Sequence, residues 1–115
     1  MTSPTEHTLS LLRGEGYIAA VVEHFNPWAK IRQDLFGFID IVAIRSDVAG
    51  VLAVQTTSGA NITSRIEKSM GKKELFIWLK AGNQFEVHGW RKMGKRGARK
   101  LWQVDRRKIL KEMLH

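Results

Sequence analysis

A single α/β domain, a mixed β-sheet with helices packed on it, is the fold class the sequence predicts. Three observations carry that expectation. The chain has 115 residues with 43% hydrophobic content, enough for one core over residues 1–115 and little more. Its apolar residues change period along the chain, from helical spacing to near-continuous β-branched runs and back. Two of those runs are joined by only Ser46-Asp47-Val48-Ala49-Gly50, a connection that suits an antiparallel hairpin.

The elements follow in order. Ser3 or Thr5 can cap a first helix, with Pro4 early and Glu6 in its first turn. Leu9, Leu11 and Leu12 give it an apolar side, and Gly14 and Gly16 end it. Residues 17–25 (YIAAVVEHF) read as a strand, with a helix continuation as the competitor, closed by Asn26-Pro27, and 27–37 as a connection or a short helical turn. Residues 38–45 (FIDIVAIR) and 51–57 (VLAVQTT) read as two further strands, the first apolar enough for burial on both faces. A helix is expected over 61–80, with a Ser64/Glu67 capping box and Ile62, Ile66 and Met70 on one face. Gly71 is where it can split. Ala81-Gly82-Asn83 ends it, and 84–90 reads as a strand. A basic loop around Gly94 and Gly97, a strand over 99–104 and a short final helix over 105–114 complete an α-β-β-β-α-β-β-α order.

Composition excludes several classes. Zero Cys removes disulfides, thiolate zinc sites and cysteine nucleophiles. No apolar run reaches the roughly 18 residues a spanning helix needs, so no membrane partner is expected. The stretch MTSPTEHTLS lacks a signal-peptide layout, and a cytoplasmic location is the expectation. His24 and His88 have no close His or Cys partner for zinc. Ser58 lacks a nucleophile-elbow pattern, and residues 94–97 lack phosphate-loop spacing.

The net charge of +8 is unevenly placed. Residues 1–64 hold four basic and six acidic side chains, whereas 65–115 hold fifteen and five. Within 91–108 nine cations, among them Arg91, Lys92, Lys95, Arg96, Arg99 and Lys100, face only Asp105. Such an excess suits a polyanion, with nucleic acid, DNA first, as the leading partner. An acidic protein, an anionic surface or a merely solvated face are the alternatives. Trp90 and Trp102 interleave with the run, as base-stacking groups or as core and cross-strand partners. Trp28 is a loop anchor or an interface residue.

Asp40 lies inside an apolar strand, where a carboxylate needs a partner. Gln55 interrupts the strand expected to pair with it. Side by side, their oxygens and the Thr56 carbonyl would make an all-oxygen site of the kind that takes Mg²⁺. Hydrogen bonding to turns or to each other is the other possibility.

Gly37-Phe38-Ile39-Asp40, a turn, and a strand carrying Gln55-Thr56-Thr57 resemble the PD-(D/E)XK nuclease superfamily, which includes restriction endonucleases and archaeal Holliday-junction resolvases. The resemblance covers residues 5–80 and extends to 90. It is closer still to small phage-type and bacterial proteins of that fold that read VQTTS here. The resemblance implies a restriction-endonuclease-like α-β-β-β-α-β core and DNA phosphodiester hydrolysis with Mg²⁺ or Mn²⁺. It implies catalytic roles for Asp40, Gln55 and Glu6, the last near the start of the first helix, and a two-fold dimer. Where the family has Glu-x-Lys, this chain has Gln55-Thr56-Thr57. A migrated cation is then expected, with Lys68 orienting water and Arg65 clamping phosphate from one helix face. Asp34 is a further metal ligand or a loop cap. A DNA-binding module without catalysis and a small assembly protein with a basic face are the rival readings.

Overall fold

The computed structural model describes residues 3–114. In chain order the elements are α1 (Pro4–Gly14), β1 (Ile18–Val21), β2 (His24–Asn26), β3 (Ile31–Gln33), β4 (Ile41–Ile44) and β5 (Leu52–Ser58). A 3₁₀ turn (Gly59–Asn61), α2 (Ile62–Met70), α3 (Lys73–Lys80), β6 (Gln84–Met93), β7 (Leu101–Ile109) and a last 3₁₀ turn (Lys111–Met113) follow.

Five strands form one mixed sheet in the order β1-β4-β5-β6-β7. β5 and β6 pair in parallel, and the other neighbours are antiparallel. A parallel pair needs a crossover, which α2 and α3 supply. Alternate residues of β5 serve opposite faces, as strand period requires. Leu52 and Val54 join Leu12 of α1 with Ala19, Ile41 and Ala43. Ala53 joins Phe38, Ile39, Ile62, Leu75, Phe85, Val87 and Ile109 on the other face. Gly50 closes the β4–β5 hairpin at φ +77° against the Gly82 carbonyl, where a Cβ would collide.

Ser3 caps α1, its Oγ accepting from the Glu6 amide at 3.2 Å. That leaves Thr5 free to reach Thr56, with 3.0 Å between the two hydroxyl oxygens.

Three segments depart from the sequence expectation. The 17–25 run is not one strand. β1 stops at Val21, and the chain turns out into a separate β2–β3 hairpin. The Asn26 side chain accounts for its tip, accepting from the amides of Trp28 (3.0 Å) and Ala29 (3.2 Å). β4 begins at Ile41 rather than Phe38, because Phe36 (φ 55°) and Gly37 (φ 82°) make a tight return that bridges Leu35 to Ile39. The expected helix over 105–114 is mostly strand, since β7 pairs with β6 as far as Ile109. Helix-forming residues there give way to the ladder hydrogen bonds and to burial of Ile109. Gly71 does separate two helices, α2 and α3.

Candidate metal and nucleic-acid site

A cleft of about 820 Å³ opens beside the start of α1, bounded by the β2–β3 hairpin, the Asp34–Asp40 loop and α2. Glu23, Asp34 and Asp40 present carboxylate oxygens that lie within 4.8 Å of one another. Each comes from a place where the chain leaves a strand: Glu23 between β1 and β2, Asp34 after β3, and Asp40 before β4.

The β4–β5 register pairs Ile41 with Val54. Just before Ile41 the regular ladder breaks: the Asp40 amide donates at 3.0 Å to the carbonyl of Val54, the residue that Ile41 also opposes, so Asp40 lies at a bulge rather than in a cross-strand pair with Gln55. Both side chains turn toward Asp34. Gln55 Nε2 donates to Asp34 Oδ2 at 3.3 Å. Gln55 Oε1 accepts from the Ser69 hydroxyl at 2.8 Å. Asp40 Oδ2 accepts from the Thr56 amide (2.8 Å) and from its hydroxyl (3.3 Å). Gln55 and Asp40 are only 2% and 4% exposed.

Burial and the neighbouring Asp34 carboxyl push the Asp40 pKa up to about 8, against the Thr56 amide, which favours the ionised form. Burial and Asp34 thus both favour the protonated form of Asp40. Oxygens this close, from groups that would all be anionic when ionised, make the donor set a hard cation accepts.

The cleft also carries cations. Arg65, Lys68 and Lys72 line the cleft, and Arg32 enters from the hairpin to pair with Glu23 at 3.3 Å. Lys72 reaches the acidic loop: its Nζ lies 3.1 Å from where a Cβ on Gly37 would be. Thr57 is buried and offers no charge.

The cleft thus brings together Asp34, Asp40, Arg65 and Lys68, with Gln55 hydrogen-bonded behind them. Glu6 is exposed on α1 and lies outside both the cleft lining and the acidic group, where Glu23 stands instead. Two site residues escaped the sequence reading. Glu23 had a signal, a lone acid in YIAAVVEHF. Lys72 had one too, extending the Arg65–Lys68 spacing across the Gly71 break.

The second cationic region is the β6–β7 arm. Arg91, Lys92, Lys95, Arg96, Arg99 and Lys100 are all exposed, and none lines the cleft. Arg91 lays its guanidinium over Gly59, at the start of the turn leading into α2. Lys92 lies 5.4 Å from the Trp102 ring centroid. Two neighbouring cations are already paired: Arg107 with Asp105, and Arg106 with Glu15 and Glu86.

Trp90 is a structural residue. It is buried and donates Nε1–H to Thr8 Oγ1 at 2.9 Å, while His7 lies between the rings of Trp90 and Trp102. His88, fully buried, joins Thr8 to Glu86. Burial opposes the charge on Glu86, but hydrogen bonds from His88 and Arg106 override it and hold the pKa at about 2.

No family model, curated protein or solved structure matches the chain. Among the described residues, no helix is long and apolar enough to cross a membrane.

Proposed function

We propose that this domain binds DNA and hydrolyses its phosphodiester backbone with a divalent cation, Mg²⁺ or Mn²⁺, through a divergent PD-(D/E)XK-like site. One observation carries the reading: three carboxylates lie together in a cleft that Arg65, Lys68 and Lys72 also line. The order of α1, antiparallel β1, β4 and β5, a helical crossover and parallel β6 supports a restriction-endonuclease-like core.

Glu23, Asp34 and Asp40 would hold the cation. A cation bound there supplies an acidified water and neutralises charge on the scissile phosphate. The chain's own residues do the rest. Lys68 and Arg65 bind phosphate oxygens from the helix wall. Lys72, poised over Gly37, takes the position-holding role of the motif lysine and stabilises charge as it develops. The exposed arm cations hold the flanking backbone, positioning it without reading sequence.

Gln55 is neutral, and its amide can serve by rotating. The Ser69 hydroxyl lies 2.8 Å from Gln55 Oε1 and 2.9 Å from the Arg65 carbonyl, two acceptors for one proton. Half a turn of the amide would let Nε2 donate to Ser69 and Ser69 donate to Arg65. Gln55 Oε1 would then face Asp34, an arrangement that needs positive charge between the two oxygens.

A second reading, DNA binding without hydrolysis, is favoured by the inward bond from Gln55 to Asp34 and by the protonated form of Asp40, which quiet the acids without a cation. Incubation with plasmid and branched DNA plus Mg²⁺ or Mn²⁺ separates the two. Metal-dependent cleavage abolished by Asp40→Ala is expected. Cleavage surviving that change rejects the site, and binding without cleavage selects the second reading.

A further inference from the structure

We propose that the β2–β3 hairpin is a stacking arm for unpaired bases of the nucleic acid whose backbone lies in the cleft; this rests on the DNA-binding reading above. The hairpin forms its own two-stranded sheet, outside the five-stranded one. Trp28 stands at its tip, 95% exposed. The other three tryptophans are used by the fold: Trp78 and Trp90 donate hydrogen bonds from their indole N–H groups, and Trp102 packs on His7. Folding gains nothing from the Trp28 ring.

The tip fixes the backbone from which that ring projects. Pro27 restricts the backbone, Asn26 Oδ1 accepts from both the Trp28 and Ala29 amides, and Lys30 takes a left-handed φ of 55°. An aromatic group presented on a rigid turn loses little freedom when something packs on it.

The charge around it selects the occupant. Residues 24–33 contain Lys30 and Arg32 and no acid; Arg32 is engaged at 3.3 Å by Glu23 just before the hairpin, and Lys30 makes no ion pair among the described residues. Phe25 shares a face with Arg32 through their cross-strand pairing. Exposed aromatics beside cations match the π-faces of bases next to phosphates. A second copy of this chain suits the arm poorly, because a two-fold contact centred on the tip would bring Lys30 and Arg32 toward their own counterparts.

The hairpin is also one wall of the cleft, through His24, Arg32 and Gln33. A strand whose phosphates lie along Arg65 and Lys68 therefore passes under it. Intact duplex hides its base faces in the stack. Single strands, flaps and branch points expose them, and those are the substrates the arm fits.

The test compares Trp28→Ala with the parent protein, both in EDTA so that nothing is cleaved, on blunt duplex and on splayed-arm DNA of equal length. The parent should prefer the splayed DNA. Trp28→Ala should bind it about tenfold more weakly, as expected for one lost stacking contact. Duplex affinity and melting temperature should stay unchanged, since the ring touches solvent. Equal affinity of variant and parent for splayed DNA overturns the arm while leaving DNA binding intact. A parent that binds neither DNA overturns the DNA-binding reading itself. A dimer seen by sedimentation that Trp28→Ala dissociates overturns the arm in favour of a self-association surface.

Discussion

The Ser69 hydroxyl stands 2.8 Å from Gln55 Oε1, while the other end of that amide, Nε2, meets Asp34 at 3.3 Å. Ser69→Ala leaves a buried carbonyl oxygen without its donor, which costs about 1–3 kcal/mol. The expected result is a lower denaturant midpoint with an unchanged slope. An unaltered midpoint would show that the hydroxyl does not hold the amide.

Gln55→Glu puts a fourth carboxylate against Asp34 and Asp40. Without divalent ions the variant should melt below the parent, because like charges are confined in a buried place. Mn²⁺ should raise its melting temperature more than the parent's, each tenfold gain in affinity adding about 1.4 kcal/mol at saturating metal. A smaller Mn²⁺ response than the parent's would remove Gln55 from the ligand set.

The pH dependence has a defined sign. Folding raises the Asp40 pKa from 3.8 to about 8. Its contribution to stability is therefore fully present below about pH 4 and is lost as pH rises through 8. Asp40→Asn should flatten that limb in melts between pH 5 and 9. Because a cation must displace the Asp40 proton, Mn²⁺ affinity should climb up to about tenfold per pH unit below 8 and level off above it. Glu86 acts oppositely: held at about 2, it stabilises above its unfolded 4.5 and that contribution is lost as pH falls through 2.

Lys72→Ala should leave stability within about 0.5 kcal/mol, as for a surface change, while cutting cleavage. Lys72 makes no ion pair among the described residues, so its loss leaves no buried charge behind. Cleavage equal to the parent's would return the cation role to Lys68.

The arm cations divide by their partners. Replacing Arg96 or Lys100 by Ala should weaken binding alike across DNA sequences and lower the salt slope by about one per lost phosphate contact. Arg107→Ala should do less, because Asp105 already engages that guanidinium. Equal losses from all three would mean that DNA displaces the pair.

Legibility in the sequence differed from residue to residue. Asp40 and Gln55 stood out as polar residues in apolar segments, and in the fold each turns to Asp34 rather than to the other. Glu6 was placed by the resemblance alone, and the fold leaves it in solvent. Glu23 was hidden because 17–25 read as one strand, whereas β1 ends at Val21 and β2 starts at His24, which leaves Glu23 in the break beside Asp34 and Asp40. Residues 105–109 failed for the opposite reason: long-range pairing with β6 outweighed local helix propensity.

Sequence alone determined an α/β chain, a helical segment over 61–80 with a break available at Gly71, the concentration of cations after residue 64, and a carboxylate that had to find company. Those properties are local: period, glycine conformation and charge are written in consecutive residues. Tertiary structure decided which acids meet, which lysine overlooks them, and that one tryptophan is left in water. Such choices depend on strand register and loop direction, which are set by contacts between residues far apart in the chain.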